Sequence, residues 1–108
     1  MNDDKATDIV FVCSITITQG TSEINAKRRF EINYHNYKVA EYIDLGSGWT
    51  PEATLELQAA DHDRLVFAGG SVRGSNLDQQ TGAYRQFDER GEASGTCERT
   101  AGRRLNKI

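Results

Sequence analysis

Few residues in this 108-residue chain could do chemistry, and the two cysteines are the most informative of them. Cys13 and Cys97 stand near the two ends, and neither has a second Cys or a His at the spacing of a metal site. One interpretation is two separate buried thiols, which pack like small apolar side chains. The other, which we favour, is a disulfide that closes a loop of more than 80 residues. Chain entropy gives such a bridge about 4–5 kcal/mol of stabilisation.

The two histidines give little support to catalysis or to metal binding. His62 lies between Asp61 and Asp63, but three adjacent residues in a tight turn do not converge easily on one ion. His35 stands in a second turn, YHNY. Cys13 is predicted in mid-strand on an apolar face, where a thiol is inert. We therefore expect no Ser-His-Asp or Cys-His constellation, no metal site and no cofactor.

The strongest candidate for binding is the loop DLGSGWTPEA at residues 44–53, which contains the only Trp and the only Pro of the chain. Loops on a stiff β scaffold concentrate binding residues, and Trp is enriched at interface hot spots. We predict Trp49 as the main binding residue, with Arg73 and Tyr37 as further candidates. Two alternatives stay open. Trp49 could instead fold inward and plug one end of the fold, and Arg73 could only pair with Asp78 to hold a turn.

The elements that would position these residues alternate between apolar and polar side chains with a period of two. This pattern indicates strands with one buried face. In residues 8–19 the predicted inward side chains are Ile9, Phe11, Cys13, Ile15 and Ile17, and in residues 26–35 they are Phe30, Ile32 and Tyr34.

The segment 51–60 is ambiguous. Thr50 as a cap with Pro51 in the first turn would start a short helix. A strand with Leu55, Leu57 and Ala59 on one face is the interpretation that we prefer, because ADHD and RLVFAG follow it like a returning hairpin. Further short strands separated by Gly-containing turns complete the pattern. We predict an all-β fold, a small antiparallel barrel or sandwich of seven to eight strands.

Bulk composition limits the function further. The chain is long enough for a single domain, 1–108, in which we expect residues 1–7 and 101–108 to be loose. The 13 basic and 16 acidic residues are interspersed without a basic stripe, so nucleic acid is not an expected partner. No apolar run reaches 18 residues, so no membrane span is expected. We expect a monomer or weak dimer.

The segment GSNLDQQTGAY at residues 74–84 is typical of a hairpin whose loop is closed by Gly82. Together with the early Cys13 and the final GTCE (residues 95–98), it resembles a group of small exported bacterial proteins of uncharacterised function. Those proteins often carry an I-D-R-x-T-G hairpin and a Cys near each end. Here Leu77 stands in place of Ile and Gln79 in place of Arg. The resemblance implies a Cys13–Cys97 disulfide and export.

These patterns favour a non-enzymatic binding module for a protein or small ligand. A small barrel enzyme with a buried carboxylate is one alternative, and a structural envelope component that pairs through an exposed edge strand is another. The first residues, MNDDKATD, show no signal peptide. Because disulfides form in oxidising compartments, we expect a periplasmic or secreted protein whose signal peptide has been removed. A cytoplasmic location is the alternative.

Overall fold

The chain forms a closed antiparallel β-barrel in the computed structural model, which describes residues 9–61, 63–69, 72–88 and 91–102. Each strand pairs with the next along the chain, and the last strand pairs with the first. The eight strands are β1 (Ile9–Gln19), β2 (Ser22–Asn33), β3 (Lys38–Asp44), β4 (Thr50–Ala60), β5 (Arg64–Gly69), β6 (Val72–Asp78), β7 (Ala83–Asp88) and β8 (Glu92–Gly102). The all-β prediction is therefore confirmed, and of its two forms the barrel is the one observed.

The segment 51–60 is a strand, so the helical alternative is wrong. β4 pairs with β3 on one side and with β5 on the other, and these pairings place Leu55 and Leu57 in the core. Ala59, predicted on the same face, is exposed. The reason is a β-bulge between Leu57 and Ala59, where one extra residue reverses the alternation of side chains.

The predicted alternation fills the barrel interior. Ile9, Phe11, Cys13 and Ile15 of β1 are buried, as expected for one face of a strand. Three aromatic rings from different strands meet near the centre, with centroid distances of 5.0 Å for Phe30–Phe67 and 5.2 Å for Phe30–Tyr84. Rings at this spacing gain attraction beyond the area that they bury.

The seam between the first and last strands carries the disulfide. Cys13 and Cys97 lie directly opposite each other in the β1–β8 pairing and are bonded. The two strands approach closely beside the bridge, because Gly95 has no side chain. A Cβ at that position would lie 2.0 Å from the carbonyl oxygen of Ser14. Sequence and fold thus agree that the barrel is closed covalently at the point where its sheet meets itself.

The hairpin between β6 and β7 has the predicted turn chemistry. The Asp78 carboxylate accepts the backbone N–H groups of Gln80 at 2.8 Å and Thr81 at 3.0 Å. Gly82 closes the turn with a φ of 83° and donates its N–H to the Asp78 carbonyl at 2.8 Å. The turn is also bonded to the neighbouring β4–β5 turn, since Gln79 donates its N–H to the Asp63 carbonyl at 2.8 Å.

Because neighbouring strands are antiparallel, successive connections lie at opposite ends of the barrel. The β1–β2 and β3–β4 connections lie at one end, which we call the Trp49 end. The β2–β3, β4–β5 and β6–β7 connections lie at the other, which we call the Tyr37 end. The predicted loose tail, residues 101–108, contributes Ala101 and Gly102 to β8, while residues 1–7 and 103–108 lie outside the described part of the chain.

Candidate functional site

The β3–β4 loop that carries Trp49 is held by its first residue. The carboxylate of Asp44 accepts the backbone N–H groups of Gly46 at 2.7 Å and Gly48 at 3.1 Å. These bonds favour the ionised carboxylate, so they lower the pKa of Asp44 below its usual value. They also turn the chain away from the direction of β3, which ends at Asp44.

Trp49 packs against the outer wall of the barrel. The guanidinium of Arg29 lies over the Tyr42 ring, 4.4 Å from its centroid, and over the Trp49 ring, 5.0 Å from its centroid. Arg29 and Tyr42 are register partners in β2 and β3, and both point outward, since the neighbouring Arg28 and Glu41 are buried. The alternative in which Trp49 plugs the barrel is therefore wrong.

We call Arg29, Tyr42 and Trp49 the aromatic platform. Its guanidinium is further fixed by Glu31, whose Oε2 lies 3.0 Å from Nε of Arg29. A cation over an aromatic face is worth about 0.5–1 kcal/mol where exposed and more when desolvated, and the Arg29 side chain is only 26% exposed. The platform is thus a preformed, half-buried surface whose side chains have little rotamer freedom left to lose on binding.

A groove lies next to the platform, between the outer face of β1 and β2 and the start of the β3–β4 loop. Its volume is about 420 Å³, and Leu45 forms part of its far side. Lys27, two residues before Arg29 on the same face of β2, contributes to its floor. The lining residues are Ser14, Ile15, Thr16, Asn25, Ala26, Lys27, Leu45 and Gly46.

Tyr37 and Trp49 are not brought together. Tyr37 lies in the β2–β3 turn at the opposite end of the barrel, where it is 62% exposed. It has a φ of 56°, unusual for a residue other than glycine, and its carbonyl accepts the Leu57 N–H at 2.8 Å. Its backbone therefore helps to close a turn, and the residue lines a pocket of about 450 Å³ together with residues 57–60.

The other sequence candidates are less informative. Arg73 lies within β6, but its side chain is outside the part of the chain that the structure describes. The proposed pairing partner of Arg73, Asp78, has a lowered pKa because backbone N–H groups of the turn bind its carboxylate, that of Thr81 first. His62 also lies outside the described residues. Among the described residues, no three His, Cys, Asp or Glu side chains are grouped as metal ligands would be.

A buried polar cluster inside the barrel was not predicted. Nη1 of Arg28 donates to Oε2 of Glu41 at 2.6 Å and to Oε1 of Gln86. The Tyr84 hydroxyl donates to the same Gln86 oxygen. Ser75, also buried, donates its hydroxyl to the Phe67 carbonyl at 2.7 Å. The period-two alternation could have revealed the cluster, because these polar residues stand at positions where the alternation points the side chain into the barrel.

The chemistry of this cluster is that of an internal support. Burial raises the pKa of the Tyr84 phenol, so the hydroxyl stays a hydrogen-bond donor at ordinary pH. Arg28 and Glu41 neutralise each other, and both are almost fully buried. The ion pair joins β2 to β3 inside the barrel. The cluster therefore fills and fixes the lumen.

Over the residues that the structure describes there is no helix long and apolar enough to cross a membrane. Comparisons of the chain with protein-family models, with curated proteins and with solved structures found no match.

Proposed function

We propose that this protein is an exported, non-enzymatic binding module that contacts a partner protein through the aromatic platform. The observation that carries this proposal is the Arg29 guanidinium held over the rings of Tyr42 and Trp49 on the outside of the barrel. Trp, Tyr and Arg are the residue types most enriched at protein-interface hot spots. Here all three are brought together and fixed before any partner arrives.

The shape of the platform favours a protein over a small ligand. Small-molecule sites are concave, and in eight-stranded barrels they lie in the lumen. In this barrel the rings of Phe30, Phe67 and Tyr84 and the ion pair Arg28–Glu41 occupy the lumen. The platform lies instead on the outer wall, where a flat partner surface can cover it.

The disulfide supports the exported part of the proposal. A bridge between the first and last strands persists in an oxidising compartment such as the periplasm or the extracellular space. The resemblance of the Gly74–Tyr84 hairpin and the GTCE strand to small exported bacterial proteins points to the same location. A cytoplasmic location is the alternative, and it requires that both thiols be reduced in the cell.

The enzyme alternative has weaker support. It needs a buried carboxylate that can reach a substrate, and the buried carboxylate of Glu41 already accepts a hydrogen bond from Arg28 at 2.6 Å. An accessible acid with a raised pKa is the feature that would favour a hydrolase or isomerase. The pKa that burial raises in the lumen is that of the Tyr84 phenol, which is not a carboxylic acid.

The proposal is tested by site-specific photo-cross-linking in cells that produce the protein. A photoreactive amino acid replaces Thr50, an exposed residue next to Trp49, or His35, an exposed residue at the Tyr37 end. We expect a discrete protein adduct from position 50 that is lost when Trp49→Ala is added. The matched control is Tyr37→Ala, which should leave the adduct unchanged. No adduct at position 50, or an equal adduct from position 35, would refute the proposed surface.

A further inference from the structure

The strand β2 has an open edge at the Trp49 end. It pairs with β1 from Ser22 to Asn33, but its pairing with β3 begins only at Lys27. Residues 22–26 therefore have a neighbour on one side and, among the eight described strands, none on the other. The cause lies in β3, which ends at Asp44, where the carboxylate of that residue binds the backbone of the following loop.

The backbone groups that face this open side follow from the hydrogen-bond alternation of antiparallel strands. The N–H of Cys97 donates to the Gly82 carbonyl, so it points away from Cys13 and the Cys13–Cys97 pair is not hydrogen-bonded. The backbone groups of Cys13 therefore hydrogen-bond to those of its β2 partner Arg28. Every second residue of β2 counted from Arg28 hydrogen-bonds to β1 in the same way. The N–H and C=O groups of Glu23 and Asn25 consequently point to the open side.

The edge has little of the usual protection against pairing. Natural edge strands are protected by charged side chains, above all Lys, by Pro or by a bulge, and the one charge in residues 22–26 is Glu23. The sequence SEINA at 22–26 has neither Lys nor Pro, and its register with β1 is unbroken. Ile24, at the middle of the edge, is 46% exposed.

We infer that two copies of this chain pair through this edge, antiparallel, with a two-fold axis at Ile24. In that register Glu23 of each copy lies opposite Asn25 of the other, so the free N–H and C=O groups of both residues satisfy one another. The two Ile24 side chains form a central non-hydrogen-bonded pair, where side chains approach closest. Glu23 also lies diagonally from Lys27 of the second copy, within reach of an ion pair.

The pairing joins the walls of the two barrels into one continuous sheet across the edge. The outer faces of both β2 strands stay on the same side of the joined sheet, so the two aromatic platforms face one direction.

The contact is small, so the dimer is weak and exchanges rapidly. Five residues of each copy supply the strand pairing, which puts the interface in the size class of transient encounters. The dimer is bivalent, and two platforms on one particle bind a repeated partner more tightly than one platform does. The pairing involves the β2 edge and none of the three platform residues.

The test is sedimentation equilibrium of the oxidised protein across a wide concentration range. We expect the native chain to dimerise reversibly and Ile24→Lys to weaken the dimer by about tenfold or more, because two lysines would then face each other. Phe87→Lys is the matched control, since Phe87 is 47% exposed on the outer wall away from this edge. It should dimerise like the native chain. Trp49 fluorescence verifies that both variants are folded.

Hydrogen exchange identifies the surface. The backbone amides of Glu23 and Asn25 should become protected as concentration rises, while those of residues 98–100 should not change. A native chain that stays monomeric at millimolar concentration would overturn the inference. So would a dimer in which the amides of Glu23 and Asn25 stay unprotected, or one that Ile24→Lys leaves intact.

Discussion

Gly82 packs its backbone directly against Cys97. The Gly82 carbonyl accepts the Cys97 N–H at 2.7 Å, and a Cβ on Gly82 would lie 2.3 Å from the Cys97 carbonyl oxygen. The last residue of the LDQQTG turn and the disulfide strand are therefore in contact. This gives a physical reason for glycine at position 82, because the backbone of the disulfide strand leaves no room there for a side chain.

Gly82→Ala should destabilise the fold by roughly 2 kcal/mol or more, because it adds a clash with backbone to a left-handed conformation. The measurement is the free energy of unfolding in urea. Gly74→Ala is the control, since a Cβ at Gly74 meets no atom within 4 Å, and it should change stability by less than about 0.5 kcal/mol. Equal effects of the two substitutions would contradict the contact described here.

Reduction of the Cys13–Cys97 bridge should lower the free energy of unfolding by about 4–5 kcal/mol, because it releases a loop of 84 residues in the unfolded chain. Intact mass measured with and without reductant, after free thiols are blocked, establishes the bridge in the native protein. Two thiols that react only after unfolding would show that the bridge does not form in the cell, and would favour the cytoplasmic alternative.

Removing one partner of the buried ion pair should lower the free energy of unfolding more than replacing both partners with apolar residues does. Arg28→Met or Glu41→Leu alone leaves one buried charge without its partner, and we expect each to destabilise the protein by about 3–5 kcal/mol. The double variant Arg28→Met, Glu41→Leu should recover most of that loss, because no buried charge is left. A double-mutant cycle from urea unfolding measures the coupling. Additive effects would mean that the two side chains do not interact.

Acid should destabilise the protein through Asp44 and Asp78. Turn N–H groups lower the folded-state pKa of both carboxyls below the usual value of 3.8. Their contribution is therefore fully present above the unfolded pKa and is lost as the pH falls through the folded values. Asp44→Asn and Asp78→Asn keep a side-chain acceptor without the titration, so their stability should fall less between pH 5 and pH 2. Denaturation midpoints measured across that range would contradict the prediction if the variants and the native chain lost stability in parallel.

Much of the fold could be predicted because every second side chain of a strand points into the barrel and most of these side chains are apolar. That rule placed Phe11, Cys13 and Phe30 correctly and favoured a strand for 51–60. It failed at Ala59, where a bulge shifts the phase. It also failed at Arg28, whose partners Glu41 and Gln86 lie 13 and 58 residues further along the chain, so that nothing local shows that its charge is matched.

The candidate site was only half predictable. The composition of the 44–53 loop identified Trp49 as the residue to consider, since loops with large aromatic side chains are frequent binding sites. The side on which Trp49 packs depends on Arg29 and Tyr42, which lie on two other strands. Tyr37 was chosen from residue type alone, and strand order then placed it at the opposite end.

The presence of the disulfide also shows that all eight strands of the barrel have been synthesised. Cys97 lies in β8, so the bridge can form only after the chain has emerged as far as that strand, and it then joins residues 13–97 into a covalent ring. A chain cut short before β8 would present a free Cys13 thiol on an unpaired strand, open to reaction with other thiols. A cleavage within the finished ring, in contrast, would leave both fragments attached. Oxidation of one cysteine pair thus distinguishes finished molecules from truncated ones.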